Sequence, residues 1–140
     1  FSFMGITGAF VQLFLLKIIK REFGEEKTLL LGCFLAFIGI GFIGISSGLI
    51  LLLLLIFLLS AGNGMSSTVS ISLLSQNTGP QEQGTILGIN QSLGALARFL
   101  GPTWGGFVYQ YLGYQSPFIT GGIFMLLVTV YSYKVLKKKT

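Results

Sequence analysis

The most constraining feature of the sequence is a run of 54 consecutive residues, between Lys27 and Glu82, that contains no charged side chain. A helix that crosses a bilayer needs about 20 apolar residues, so this run is long enough for two spanning helices and a turn. Helices in soluble proteins are usually much shorter than this run. The sequence therefore predicts a protein that is embedded in a membrane.

The fold class follows from how backbone groups are satisfied in lipid. Backbone N–H and C=O groups have no water partners in hydrocarbon, so a spanning segment must be helical or belong to a closed barrel. Here 52% of the residues are hydrophobic and 9% are charged, and the Leu-rich runs do not alternate as barrel strands do. We expect an all-α, polytopic membrane protein.

Charged and turn-forming residues divide the chain into five apolar segments of one transmembrane domain. We expect the spans to lie at about 1–16, 29–45, 49–74, 84–109 and 117–136. Polar loops are predicted at 17–28 and 75–83, with a tail at 137–140. The first span has sixteen residues and opens on Phe1 without a Met, so we interpret the chain as a fragment that lacks an N-terminal part.

The basic residues predict the orientation. Four Lys or Arg residues lie between Lys17 and Lys27 and four in the tail from Lys134, while the turns near Ser46 and over 110–116 carry none. Since Lys and Arg near span ends stay in the cytoplasm, both loops and the C-terminus are predicted to be cytoplasmic. The net charge of +5 is explained in this way, and no nucleic-acid partner is expected.

The inventory of reactive side chains argues against an enzyme. The chain has no His and no Asp, and Cys33 is its single cysteine. Ser-His-Asp triads, structural zinc sites and Asp-based phosphoryl transfer all need residues that are missing. The carboxylates Glu22, Glu25, Glu26 and Glu82 all fall in the predicted polar loops. We expect no catalytic residues, no metal and no cofactor.

Arg98 is the one charge predicted to lie deep in a span, about 20 Å along its helix from Gly84. A charge at that depth is costly unless it faces protein or water, so it is a candidate for contact with a substrate or a gate. A structural role, in which Arg98 caps carbonyls or pairs with a neighbouring helix, is the alternative. Asn90, Gln91 and Gly94 form a polar stripe on the same helix.

Other polar residues inside the spans extend this set. Gln12 and Asn63 are candidates for a cavity, whereas the serines at 66, 67, 70 and 72 are expected to hydrogen-bond within the helices. The predicted cavity or gating residues are therefore Gln12, Asn63, Asn90, Gln91 and Arg98.

Glycine and proline residues of the fourth span indicate packing or bending. Pro102 cannot donate a backbone hydrogen bond, so residues 101–106 predict a kink or hinge, or alternatively a static bend at a helix end. Small residues also let helices approach closely. The predicted kink or packing residues are Gly88, Gly94, Gly101, Pro102, Gly105 and Gly106.

Three motifs follow one another along the chain: a basic segment at 17–27, a polar segment at 81–88, and a glycine-proline motif. The last consists of Gly88, Ala97, Gly101, Pro102, Gly105 and Gly106. In this order they resemble the C-terminal half of a major facilitator superfamily transporter. The segment 17–27 is similar to that family's basic loop, although Ile19-Lys20-Arg21 replaces its Asp-containing version, and 81–88 is similar to the loop before the fifth helix of a half. The third motif matches the family's antiporter motif, with Ala97 in place of a Gly.

This resemblance implies a secondary transporter of small molecules that works by alternating access. The multidrug and tetracycline efflux branch, an antiporter in the bacterial inner membrane, is most similar. Its substrate would be a drug or metabolite, and its coupling ion a proton carried by an acid in the missing N-terminal half. A small structural or pore-forming oligomer is the alternative from another class, and an intramembrane enzyme is a weaker one.

Overall fold

The computed structural model describes residues 2–10 and 16–139, and these residues are helical without a β-strand. The all-α class predicted from the sequence is confirmed. Five helices follow one another along the chain: α1 Ser2–Phe10, α2 Leu16–Ile43, α3 Leu49–Gln76, α4 Gln83–Leu112 and α5 Ser116–Lys139.

The largest difference from the predicted layout lies at residues 17–28, which are helical rather than a loop. Helix α2 runs through them and is interrupted only at Gly24, where φ is 77° and ψ is 170°. This conformation is essentially restricted to glycine, so Gly24 lets the backbone change direction between two helical parts. The Lys, Arg and Glu side chains around it are good helix formers. The expected loop is therefore corrected to a short helix that meets the rest of α2 at a kink.

Helices α2 and α3 pack antiparallel through small residues. A Cβ atom built on Gly39 would lie 2.6 Å from the Cβ atom of Leu59, and one built on Gly62 would overlap the backbone N of Ala36. Such contacts are possible only where the side chain is absent, and they bring two helix backbones together. Met65 and Val69 of α3 are 1% and 0% exposed at the centre of this pair.

Helix α5 packs antiparallel on another face of α2, and α4 is attached mainly to α5. A Cβ atom on Gly122 would lie 2.9 Å from the Cα atom of Gly41. At the connection between α4 and α5, the hydroxyl of Ser116 donates a hydrogen bond of 3.0 Å to the carbonyl of Val108. Most of α4 beyond this connection is exposed, with Phe99 at 70%.

Three helices in the described part of the chain are long and apolar enough to cross a membrane: Ile18–Ile43, Leu49–Gln76 and Ser116–Val135. Helix α4 has 30 residues, but its hydropathy is lower than that of these three helices, because glycine and polar residues recur along it. The described part of α1 has nine residues, fewer than a span needs. Of the five predicted spans, three therefore correspond to described helices that are both long enough and apolar enough to cross a membrane.

Candidate functional site

A polar cavity of about 590 Å³ lies between α3 and α4, with α2 and α5 completing its walls. Its volume is in the range of small-molecule sites. Polar groups from α3 and α4 are gathered here between helices that are rich in apolar residues. The cavity is lined by Cys33, Asn63, Ser66, Ser67, Ser70, Ile71, Asn90, Gln91, Leu93, Gly94, Ala97, Arg98, Met125 and Val128.

The α3 wall carries an amide and three hydroxyls. Positions 63, 66, 67 and 70 recur at helical spacing, so their side chains share one face. Ser66 donates to the sulfur of Cys33 at 3.6 Å, and Ser67 donates to the carbonyl of Gly64 at 3.2 Å. Asn63 is exposed and has no hydrogen-bond partner among the described residues, so its amide is available to a ligand.

The α4 wall carries Asn90, Gln91 and Arg98. The guanidinium of Arg98 folds back along the helix over Gly94. A Cβ atom built on Gly94 would lie 3.6 Å from the Nη1 atom of Arg98. Side chains of a helix point towards its N-terminus, so this direction is the expected one. The absence of a side chain at Gly94 leaves room for the guanidinium on the cavity side of α4.

Arg98 is the only charged residue among the described residues that line the cavity. In the same described part of the chain, the one ion pair joins Lys20 and Glu25 and lies elsewhere. A guanidinium can bind a carboxylate or phosphate through two parallel, charge-assisted hydrogen bonds. The cavity thus presents an unpaired positive charge beside amides and hydroxyls.

Pro102 lies one turn after Arg98 and cannot donate a hydrogen bond to the Arg98 carbonyl. Helix α4 nevertheless continues through Pro102, and the Thr103 hydroxyl donates to the carbonyl of Phe99 at 3.0 Å. The hinge predicted over residues 101–106 therefore stays a prediction.

The predicted glycine positions of α4 differ in their surroundings. Gly94 lines the cavity, and a Cβ atom on Gly105 would lie 4.0 Å from the Cβ atom of Pro117. At Gly88, Gly101 and Gly106, a Cβ atom would meet nothing within 4 Å in the part of the chain that the structure describes. A packing role at these three positions would need a neighbour beyond the described helices.

Four of the five predicted cavity residues, Asn63, Asn90, Gln91 and Arg98, are brought together in this one cavity. The fifth, Gln12, lies outside the described residues. The sequence reasoning missed the contribution of α5, namely Met125 and Val128. These side chains are apolar like their neighbours, so only the packing of α5 against the bundle reveals them.

A second polar cluster joins the kinked part of α2 to the end of α3. Glu25 forms an ion pair with Lys20, and its Oε1 atom also accepts hydrogen bonds from Ser72 at 2.9 Å and from Gln76 at 3.0 Å. Lys20 donates to the hydroxyl of Ser72 at 3.1 Å. This cluster is not part of the cavity. It holds the basic segment against α3.

Several long apolar helices packed against one another define a multi-pass integral membrane protein. Within the described residues, no group of three or more His, Cys, Asp or Glu side chains is placed to hold a metal ion. The Major Facilitator Superfamily matches residues 1–140, so the chain belongs to this superfamily of membrane transporters. The family predicted from the motifs is confirmed. Its members bind small-molecule substrates and are transporters rather than enzymes.

Several curated proteins are similar to parts or all of the chain. Citrate exporter 1 of Aspergillus niger is 32% identical over 75 residues, which are 51% of this chain and 14% of that protein. MFS-type transporter SLC18B1 of Homo sapiens is 41% identical over 61 residues, or 44% of this chain and 13% of that protein.

A third relative is similar over nearly the whole chain. Magnetosome protein MamH of Paramagnetospirillum magneticum is 26% identical over 140 residues, which are 97% of this chain and 32% of that protein. The chain thus spans at most about a third of the length of these relatives. No solved structure matches the chain significantly.

Proposed function

We propose that the chain is part of a secondary transporter that exports a small organic anion, and that the cavity between α3 and α4 forms part of its substrate site. One observation carries this proposal. The guanidinium of Arg98 lines the cavity beside Asn90 and Gln91, and no carboxylate of the described residues lies there to neutralise it.

The chemistry of the lining favours an anion over a cationic drug. A guanidinium binds a carboxylate or phosphate through two parallel hydrogen bonds, and amide and hydroxyl groups add further donors. A cation would be repelled by Arg98 and would meet no negative charge in the described lining. Of the two classes that the sequence predicts, drug and metabolite, we therefore favour an anionic metabolite. The name of one relative, Citrate exporter 1, describes export of such a carboxylate.

The working protein is proposed to be larger than this chain. We infer that the chain supplies the C-terminal half of a transporter in which two halves rock around a central site, as in the tetracycline efflux branch. The order of its motifs and the exposed surface of α4 support this arrangement. A proton is the proposed coupling ion, and its carrier would belong to the other half, because no carboxylate of the described residues lines the cavity.

We infer a bacterial inner membrane from the resemblance to the tetracycline efflux branch, and the basic residues support a C-terminus in the cytoplasm. Lys17–Lys27 and the tail from Lys134 hold eight of the nine Lys and Arg residues, and both would face the cytoplasm. Labelling of single cysteines introduced into the tail from either side of the membrane tests this orientation.

Replacement of Arg98 tests the proposed substrate site. We expect Arg98→Ala in the full-length protein, reconstituted in liposomes, to lower citrate transport by about tenfold or more, because charge-assisted hydrogen bonds contribute about 1.5–3 kcal/mol. Arg98→Lys should retain part of the activity, since it keeps the charge but loses the two-pronged geometry. Arg21→Ala, the same change outside the cavity, is the control and should transport normally.

Two outcomes would separate the parts of this proposal. If Arg98→Ala transports citrate and the cationic probe ethidium as the unchanged protein does, the cavity is not the substrate site. If ethidium transport depends on Arg98 and citrate is never transported, the transport site stands but the anionic substrate is wrong.

A further inference from the structure

An apolar groove of about 480 Å³ runs between α2 and α5 and shares no lining residue with the polar cavity. Its α2 residues recur at intervals of three and four and therefore lie on one face of the helix. From Lys27 to Phe34 this face extends for about 10 Å along α2. The groove is lined by Lys27, Leu30, Leu31, Phe34, Thr129, Val130 and Tyr133.

One end of the groove is basic. Within the described part of the chain, Lys27 is the only charged residue that lines the groove, and it has no ion-pair partner there. On α5, Lys137 comes one turn after Tyr133 on the same helix face. Both helices therefore bring lysines to this end.

The register of the two helices places those lysines at a similar level. Gly41 lies against Gly122 in the antiparallel pair. Lys27 comes about four turns before Gly41, and Lys137 comes about four turns after Gly122. The charge-free run begins directly after Lys27, and the candidate span of α5 ends at Val135, so the apolar walls lie at membrane depth and the lysines lie near its boundary.

We propose that this groove binds an anionic phospholipid, with the headgroup phosphate beside Lys27 and an acyl chain between α2 and α5. The charge of Lys27 and Lys137 complements a phosphate, and a lysine side chain can reach a headgroup from just inside the apolar layer. The hydroxyl of Tyr133 suits the same interfacial level. A soluble phosphate would leave the walls formed by Leu30, Leu31 and Val130 without a partner, which is why a lipid is the occupant.

Lipid retention by the purified full-length protein tests this site. Titrated with phosphatidylglycerol in detergent and measured by native mass spectrometry, Lys27→Gln should bind about fivefold more weakly, as expected for one basic residue near an anionic surface. Retention of phosphatidylcholine should not change. Arg21→Gln removes the same charge from an exposed position outside the groove and should bind phosphatidylglycerol as the unchanged protein does.

A second variant tests the groove itself and does not depend on how Lys27→Gln folds. Val130→Trp keeps both lysines but fills the space between α2 and α5, so it should also reduce phosphatidylglycerol retention. The proposal is overturned if Lys27→Gln and Val130→Trp both bind normally, or if Arg21→Gln weakens binding as much as Lys27→Gln. It is also overturned if inorganic phosphate displaces the lipid, or if a cysteine placed at Phe34 crosslinks to another segment of the protein.

Discussion

Glycine has opposite roles in the α2–α3 pair and in α4. In the pair, Gly39 and Gly62 lie where the neighbouring helix leaves no room for a methyl group. In α4, a methyl group on Gly84, Gly88 or Gly101 would meet nothing within 4 Å in the part of the chain that is described. The same residue type is a packing requirement in the first region and part of an open surface in the second.

Burial separates the two regions in the same way. Helix α3 buries Met65 and Val69 almost completely against α2, whereas Val108 is the one buried residue of α4. The cavity lies between a wall that is fixed by close packing and a helix that is attached near one end. Transporters of alternating access work by moving rigid units against each other, and the α2–α3 pair has the packing of such a unit. The open face of α4 is the surface on which we propose that the other half docks.

A methyl group added to a glycine in each region tests the difference in packing most strongly. Gly39→Ala should destabilise the protein by about 3 kcal/mol or more, because the new methyl group would lie 2.6 Å from the backbone N and the Cβ atom of Leu59. Gly88→Ala, the matched control in α4, should be neutral or stabilise the helix by up to about 1 kcal/mol. Thermal unfolding in detergent and the monodisperse fraction in size-exclusion chromatography measure both.

If the two variants lose equal stability, the distinction between a packed and an open region is wrong. If only Gly88→Ala loses stability, a close neighbour lies on α4 and the α2–α3 contact at Gly39 is unimportant. Both variants are measured in the full-length protein, where a loss of stability in Gly88→Ala would show that the other half covers this position.

A methyl group at the kink in α2 should destabilise the protein less. Gly24→Ala should cost about 1–3 kcal/mol, because φ of 77° with ψ of 170° is a region that residues with a Cβ atom avoid. Gly84→Ala in α4 is the control, since a methyl group there meets no neighbour and φ is not positive. The shift in unfolding temperature measures both, and equal shifts would show that the conformation of Gly24 adds no constraint.

Much of this fold could be predicted from the sequence because membrane insertion is a local property. The length of the charge-free run and its apolar composition define the helices without knowledge of their neighbours. Asn63 and Arg98 could be assigned to a cavity for a similar reason, since polar groups are costly in hydrocarbon wherever the helix packs.

What could not be predicted depends on contacts between helices. Gly39 and Gly88 look alike in the sequence, and only the register of α2 against α3 makes the first one indispensable. The position of residues 17–23 against α3 depends on the kink at Gly24 and on the contact of Glu25 with Ser72, which lies 47 residues away in the sequence. Met125 of α5 enters the cavity wall only through tertiary packing.

The smallest expected effect concerns the polar tie at the end of the α2–α3 pair. Glu25→Gln removes the charge that pairs with Lys20 but keeps a side chain that can still reach Ser72, so we expect a loss of about 1 kcal/mol. The Glu25 side chain is only 16% exposed, yet Lys20 is 38% exposed, which lets water stabilise the lysine after the change. Glu26→Gln removes the same charge from the next residue and is the control. If the unfolding temperature in detergent falls equally in both, the effect is one of overall charge, and the rigidity of the pair rests on its glycine contacts alone.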